Sequence, residues 1–178
     1  MNEAVSGRLW ILNPACEQDW DALYEQELPR VYNYFRYRVG DGPVAEDLTS
    51  LTFEKAWQAR HRYRRDVAGF CTWLLTIARH VAIDHYRARK PNVPIDEAAG
   101  MPGGETPEEL SERRSDFDRL NRLLVALPER ERELVALKYG AEMSNRAIAK
   151  ATRLSESNVG TILHRSIQSL RAQWNEGA

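Results

Sequence analysis

The side chains best suited to chemistry in this sequence are basic and aromatic, and they fall between residues 60 and 90. That segment contains eight Lys/Arg and two Asp/Glu residues, with Tyr63 and Tyr86 interleaved among the arginines. Guanidinium groups bind phosphate oxygens and aromatic rings stack on nucleobases, so the combination is typical of a nucleic-acid interface. A solvated surface with accidental clustering of charge is the alternative interpretation.

Charge is segregated along the whole chain, although the net charge of its 178 residues is only −1. The net charge is −5 in residues 1–59, +6 in residues 60–90, −6 in residues 91–112 and +4 in residues 113–178. A basic block between acidic blocks indicates a local electrostatic footprint for phosphate, not a uniformly basic protein.

Composition places the chain among soluble globular proteins. It has 43% hydrophobic and 29% charged residues, and no apolar run reaches the length that spans a membrane. The first residues lack a basic segment followed by a small-residue cleavage site, so they do not read as a signal peptide. We therefore expect a cytoplasmic protein without membrane insertion.

Cysteine and histidine usage argues against a metal site and against catalysis. Cys16 and Cys71 are too few and too far apart for a zinc site. Cys71 lies within a helical pattern and is interpreted as a small packing residue, with a reactive thiol as the alternative. The four histidines are scattered, and no nucleophile–base pair or phosphate-binding loop is evident. We expect neither an enzyme nor a cofactor.

Apolar periodicity predicts three helices in the first half of the chain, over about residues 19–39, 44–60 and 70–90. The third has apolar residues at the i, i+3, i+4 spacing of one buried helix face. Trp73 on that face is interpreted as a core residue, with a stacking platform as the alternative. The inward residues predicted for the three helices are Trp20, Leu23, Tyr24, Leu28, Val31, Phe35, Leu48, Leu51, Trp57, Phe70, Trp73, Leu74, Ile77, Ala78 and Val81.

Residues 91–106 are rich in proline, glycine and acid, and they predict a linker between two domains. A capping box at Thr106 and Glu109 opens the next helix, which ends at Pro128. Further helices are expected over about residues 129–139, 144–151 and 155–174.

The last two predicted helices have the spacing of a helix-turn-helix, with Ser155 as the cap of the second. A plain helical hairpin is the alternative. The inward stripe of the second helix is predicted to be Val159, Ile162, Leu163, Ile167 and Leu170. The fold class is therefore all-α: two small helical domains joined by a flexible acidic linker, the C-terminal one a helix-turn-helix.

Three motifs give the chain a resemblance to a known family over about residues 19–172. The first is Ala-Glu-Asp-Leu at 45–48, followed by Thr-Phe at 52–53 and Ala-Trp at 56–57. The second is the helix that begins Trp-Leu at 73–74 and continues through Ile-Ala-Arg at 77–79 and Ala-Ile-Asp at 82–84. The third joins Leu-Pro at 127–128 to the helix-turn-helix. Together they resemble the extracytoplasmic-function sigma factors, the smallest class of bacterial RNA polymerase sigma subunits.

The resemblance implies roles for particular domains. Residues 19–90 would form a region 2 domain that binds the polymerase clamp and the −10 promoter element. Residues 107–178 would form a region 4 domain that reads the −35 element. Residues 91–106 would link the two domains, and residues 1–18 would be an N-terminal extension without an assigned role.

Residue roles are implied in the same way. Polymerase binding is implied for Glu46, Asp47, Leu48, Ser50, Leu51, Phe53 and Glu54. Recognition and opening of the −10 element are implied for Arg60, Arg62, Tyr63, Arg64, Arg65, Arg79, His80, Ile83, Asp84 and Arg87. Reading of the duplex −35 element is implied for Arg146, Ser157, Asn158, Thr161, His164 and Arg165. For Asp84, a salt bridge to a nearby arginine is an equal alternative.

Three partners follow from the resemblance: core RNA polymerase through its β′ clamp and β subunits, promoter DNA in duplex and single-stranded form, and an anti-sigma factor. The chain departs from the family at Ser50-Leu51, where Gln-Glu is usual, and at His80, where Asn is usual. A histidine at this position offers either a different base preference or a proton-dependent contact.

The recognition helix also departs from the family, because Gly160 and Ile162 occupy positions that are usually basic. We therefore expect an unusual or weakly read −35 sequence. Two other hypotheses are a free-standing helix-turn-helix regulator, which would bind duplex DNA tightly without polymerase, and a signalling adaptor that has lost promoter binding.

Overall fold

The structure, a computed structural model, describes residues 19–88 and 107–176, with side chains in the second range described from residue 116 onward. All regular structure in these ranges is helical, which confirms the all-α prediction. The predicted extension 1–18 and linker 91–106 lie outside the described residues. The helices are α1 (Trp20–Val39), α2 (Gly42–Ala59), α3 (Phe70–Ala88), α4 (Pro107–Ala126), α5 (Glu129–Val135), α6 (Asn145–Thr152) and α7 (Glu156–Glu176).

Helix ends in the N-terminal half follow from local side-chain chemistry. The Asp19 carboxylate accepts hydrogen bonds from the first amides of α1, at 3.1 and 3.2 Å. Gly40, at φ +79°, ends α1 in the left-handed conformation that glycine adopts most easily. Asp41 then caps α2 by accepting from the Val44 amide at 2.9 Å. None of the helices in the described ranges is long and apolar enough to cross a membrane.

The predicted inward faces are correct for α3 and largely correct for α1, whereas on α2 only Leu48 of the three predicted residues is buried. Tyr24, Leu51 and Trp57 were expected to point inward, yet they are 44%, 38% and 51% exposed. Helix α2 instead buries Thr49 and Thr52, whose hydroxyls donate to the carbonyls four residues earlier at 2.6 and 2.7 Å. A threonine satisfied in this way can enter a core, so the buried stripe is rotated from the purely apolar one.

The C-terminal half contains a short element that the periodicity did not predict. The helix expected over residues 129–139 ends at Val135 and continues as a π-helical turn, Ala136–Gly140. The turn closes when the Ala141 amide donates to the Ala136 carbonyl at 2.9 Å. Gly140 is buried against α1: a Cβ there would lie 2.8 Å from the Asn33 carbonyl oxygen. The π-helical turn therefore forms where the chain packs closely against α1.

The predicted helix-turn-helix is present in α6 and α7. Ser144 caps α6, and the Ser155 hydroxyl accepts from the Asn158 amide at 3.2 Å at the start of α7. Arg153 ends α6 at φ 59°. Ile148 and Val159 are fully buried between the two helices.

The N-terminal bundle α1–α3 and the C-terminal bundle α4–α7 pack against each other along α1. The Asn121 amide donates to the Gly40 carbonyl at 3.0 Å, and the Arg36 guanidinium lies 4.6 Å from the centre of the Phe117 ring. Tyr34 is fully buried, and one hydrophobic core includes residues from both bundles.

Cys71 on α3 is half-buried, and burial, reinforced by nearby Glu27, raises the pKa of its thiol to about 11. In a Cys16→Ser variant we expect iodoacetamide at pH 8 to modify Cys71 about 100-fold more slowly than a thiol of pKa about 9, since the thiolate is the reactive form. The Cys71 thiol ionises at lower pH in the unfolded chain than in the folded chain. The free energy of unfolding should therefore fall as pH rises from about 9 towards 11. A mass-spectrometric time course measures the rate, and equal rates for folded and urea-unfolded chain would contradict the assignment.

Candidate nucleic-acid and partner interfaces

The arginine-rich loop after α2 is exposed and partly ordered by its own side chains. Arg60 donates to the Trp57 carbonyl at 2.8 Å, and its guanidinium lies 4.1 Å from the centre of the Trp57 ring. Arg64 forms a two-point contact with Asp66, at 3.3 and 2.8 Å, and this hydrogen bond lowers the pKa of the Asp66 carboxyl. Arg62 and Arg65 are exposed. The loop therefore presents several guanidinium groups to solvent.

Tyr63 is held at the edge of an aromatic cluster that joins the loop to the bundle. Its ring lies 5.5 Å from Phe70, edge to face, and 5.2 Å from Trp73. Trp20 continues the cluster, at 5.4 Å from Phe70 and 5.5 Å from Trp57. Such edge-to-face pairs add to the free energy of burial and fix ring orientation. The half-buried Trp73 belongs to this cluster, which favours its interpretation as a packing residue.

The outer face of α3 presents a stripe of polar side chains. His80, Asp84 and Arg87 are exposed at the i, i+4, i+7 spacing of one helix face, while Ile83 is half-buried. Within the described part of the chain Asp84 forms no ion pair with an arginine. The carboxylate is therefore accessible in this arrangement.

Arg79 differs from the rest of the predicted −10 set because it is already engaged. Its Nε donates to a Glu133 carboxylate oxygen at 2.6 Å, and its Nη1 donates to the Ala151 carbonyl at 2.9 Å. Both partners belong to the C-terminal bundle. Arg79 is thus paired within the chain in this arrangement, and its part in −10 recognition stays a prediction.

The predicted polymerase-binding residues divide into two groups on α2. Glu46, Asp47, Ser50, Leu51 and Glu54 share the exposed face of the helix. Leu48 and Phe53 are buried, and Phe53 packs 4.5 Å from the Tyr24 ring. In this arrangement both side chains support α2 from within the core, and their part in polymerase binding stays a prediction.

The predicted −35 residues lie together on the exposed side of the helix-turn-helix. Those accessible to solvent are Arg146, Ser157, Asn158, Thr161, His164 and Arg165. Ile162, at a position that is usually basic in the family, is half-buried against the core. Gly160 has room for a side chain, because a Cβ there would lie 3.8 Å from Asn145 Nδ2.

Two further basic residues were missed because they come from a distant part of the chain. Lys150, on α6, and Arg153, directly after it, line a cleft of about 450 Å³ against His80 and Thr76 on α3. The Lys150 ammonium donates to the Val67 carbonyl at 2.9 Å, next to the arginine loop. No local sequence pattern predicts that these two residues lie beside α3, because their position there depends on how the bundles pack.

Comparison with protein families supports both halves of the chain. The sigma-70 region 2 family model matches residues 23–91, and the sigma-70 region 4 family model matches residues 117–170. The ECF RNA polymerase sigma factor SigM of Bacillus subtilis is 28% identical over 158 residues, which cover 88% of this chain and 96% of SigM. SigL of Mycobacterium tuberculosis, also an ECF sigma factor, is 30% identical over 162 residues, which cover 87% of this chain and 88% of SigL.

Solved structures share the fold. The sigma factor RpoE of Bartonella quintana, in complex with the anti-sigma factor NepR, superposes with a TM-score of 0.72 at 20% identity, covering 88% of this chain and 97% of RpoE. CnrH, in complex with the cytosolic domain of CnrY, superposes with a TM-score of 0.65 at 20% identity, covering 92% of this chain and 94% of CnrH. The two family matches and the identity to SigL show that the chain belongs to the extracytoplasmic-function RNA polymerase sigma factors, the promoter-recognition factors of transcription initiation.

Proposed function

We propose that three separate surfaces of this chain carry its work in transcription initiation, in the cytoplasm. The exposed face of α2 binds core RNA polymerase, the arginine loop with α3 binds the −10 element, and α7 reads the −35 element. Domains spanning 19–90 and 107–178, with 91–106 as their linker, divide this work. The observation that carries the proposal is that α2 packs on α1 and α3 by one face and leaves its acidic and apolar face free.

The −10 surface is suited to single-stranded DNA. Arginines neutralise phosphates without regard to sequence, and an aromatic ring contributes about 1–3 kcal/mol per stacked base. Tyr63 supplies a ring held by its neighbours at the loop, and Arg62 and Arg65 are exposed beside it. A surface of this kind favours the open strand over the duplex.

The −35 surface is suited to the major groove. The first turns of a recognition helix reach base edges, and short polar side chains there accept or donate hydrogen bonds to them. Ser157, Asn158 and Thr161 occupy those turns, followed by His164 and Arg165. With few cations on the helix, we expect a modest electrostatic contribution and hence weak duplex binding by the free chain.

We propose an anti-sigma factor as the regulatory partner. RpoE, which shares this fold over most of its length, was solved in complex with the anti-sigma factor NepR, and CnrH in complex with the cytosolic domain of CnrY. Co-purification from a tagged chain would identify such a partner.

Run-off transcription with core polymerase and this chain tests the proposed function directly. We expect discrete products from a subset of genomic fragments, and none when either component is omitted. Absence of both transcripts and polymerase binding, with a correctly folded chain, would exclude the role. Tight duplex binding without polymerase would instead favour a free-standing regulator.

Gly160→Arg should strengthen binding to duplex −35 DNA by about 3- to 10-fold at 0.1 M salt and steepen the salt dependence by about one phosphate contact. The reason is that position 160 lies within the recognition helix, between Asn158 and Thr161, and has space for a side chain. Fluorescence anisotropy over a salt series measures both quantities. Gly160→Ala is the matched control, since it adds helix propensity without charge. Equal affinities for the two variants would place position 160 outside the DNA interface.

A further inference from the structure

The cleft between α3 and the C-terminal end of α6 is strongly basic. Its volume is about 450 Å³, and four basic side chains line it: Arg79 and His80 on α3, and Lys150 and Arg153 at the end of α6. Among the described residues, no carboxylate side chain lines the cleft. Positive groups therefore converge from both bundles, although packed surfaces ordinarily place opposite charges against each other.

Only part of this positive charge is neutralised within the described residues. The Glu133 carboxylate accepts from Arg79 Nε at 2.6 Å and offsets one charge. Neither Lys150 nor Arg153 forms an ion pair in the described ranges. Lys150 spends one of its three N–H donors on the Val67 carbonyl, and Arg79 donates through Nε and Nη1. The cleft therefore has both an excess of positive charge and unused hydrogen-bond donors.

The end of α6 does not by itself account for these cations. Unsatisfied carbonyls at a helix C-terminus attract positive charge. Here the Ile148 carbonyl accepts from the Thr152 hydroxyl at 2.7 Å, and the Ala149 carbonyl accepts from the amide that caps the helix. The Ala151 carbonyl accepts from Arg79 at 2.9 Å. The two basic residues at this end therefore add charge beyond what the helix terminus requires.

Arg153 carries its side chain at a backbone position that favours glycine. Its φ of 59° lies in the left-handed region that residues with a Cβ rarely adopt. A guanidinium is thus present at this edge of the cleft at a cost to the backbone. Strained positions of this kind cluster at ligand-binding sites.

The lining also indicates the class of ligand. Guanidinium and ammonium groups bind phosphate oxygens through charge-assisted hydrogen bonds. Three permanent cations and the Glu133 carboxylate leave two positive charges in excess, which matches an anion with at least two negative charges. The volume lies within the range of small-molecule sites. Apart from the His80 imidazole, no aromatic ring of the described residues lines the cleft, so it offers little surface for stacking a nucleobase.

We propose that this cleft is a binding site for a small polyphosphate anion, a pyrophosphate or triphosphate group, held by the four basic side chains that line it. Because such a ligand contacts both bundles, its binding free energy also stabilises their packing. Arg79 and His80 belong to the proposed −10 surface as well, so the ligand and a DNA strand compete for them. That consequence rests on the proposed function, whereas the site itself does not.

Isothermal titration of inorganic tripolyphosphate into the full chain tests the site. We expect saturable one-to-one binding that weakens at least about tenfold in Lys150→Gln/Arg153→Gly, because two charge-assisted contacts are lost. Both side chains are exposed, and glycine suits the backbone at position 153, so this variant should fold. The matched control is Lys55→Gln/Arg122→Gln, which removes the same charge from two exposed positions outside the cleft and should leave the affinity within about twofold of the wild type.

Each outcome decides the proposal. No saturable binding below about 1 mM tripolyphosphate, or equal losses in the double variant and the control, overturns it. If the wild type does not bind tripolyphosphate and the double variant loses binding of a single-stranded 20-mer, the cleft belongs to the DNA surface alone. If circular dichroism shows that the double variant is unfolded, Arg153→Gly provides the reading, with affinity about three- to fivefold weaker expected and unchanged affinity as the contrary result. The titration uses neither polymerase nor promoter DNA, so an absence of transcription would leave its result standing.

Discussion

Leu51→Asp should reduce the affinity for core RNA polymerase by at least about tenfold, and it should reduce run-off transcription in proportion when the chain is present below its dissociation constant for polymerase. Leu51 is an exposed apolar side chain on α2, between the acidic Asp47 and Glu54 on the same helix face. An apolar group in such a setting contributes by being buried at an interface, and a carboxylate in its place must lose water without a partner. Titration of labelled polymerase measures the change.

The free chain should fold normally with this substitution, because the side chain is already accessible to solvent. Its binding to a single-stranded oligonucleotide should also be unchanged. Val67→Asp is the reciprocal control, since Val67 is an exposed apolar residue beside the arginine loop. It should weaken single-strand binding and spare polymerase binding. If Leu51→Asp binds polymerase as the wild type does, α2 is not the docking face.

Helix ends could be predicted because their causes are local. Ser155 caps α7 through a hydroxyl that accepts from an amide three residues later, and Gly40 ends α1 in the one conformation that favours glycine. These signals act within a few residues of the sequence. The exposed residues of α7 could be predicted as well, because helical periodicity determines which positions face away from its buried stripe.

The buried face of α2 could not be predicted from apolar periodicity alone. Thr49 and Thr52 count as polar in such a pattern, yet their hydroxyls are satisfied within the helix and they are buried. Leu51 and Trp57 count as apolar, yet they are exposed. An exposed leucine beside acidic residues is itself a signal for a partner, and only the structure separates it from the core residues.

The environment of Arg79 could not be predicted from the sequence either, for a different reason. Its partner Glu133 lies 54 residues away, and no local sequence pattern pairs two residues at that separation. Sequence places Arg79 on the outer side of α3 but cannot say which group meets it there. Long-range ion pairs of this kind depend on the packing of whole domains.

Gly140→Ala should weaken the packing of the C-terminal bundle against α1 by about 1–3 kcal/mol, which corresponds to a roughly 5- to 150-fold shift towards chains in which the two bundles are separated. A Cβ at position 140 would lie 2.8 Å from the Asn33 carbonyl oxygen and 3.1 Å from the Tyr34 Cα, which are backbone atoms of α1. Backbone atoms in a packed helix cannot move aside as a flexible side chain would, so the π-helical turn must withdraw from α1. Small-angle scattering measures the shift through the radius of gyration.

Gly160→Ala is the control for this substitution, because it adds the same methyl group within the same bundle. Its Cβ would meet only Asn145 Nδ2, at an ordinary contact distance of 3.8 Å. As a residue inside α7 it should gain about 0.5–1 kcal/mol of stability and leave the radius of gyration unchanged. The two alanines therefore share their chemistry and differ only in what lies opposite them. If both leave the chain equally compact, the contact between the π-helical turn and α1 does not hold the bundles together.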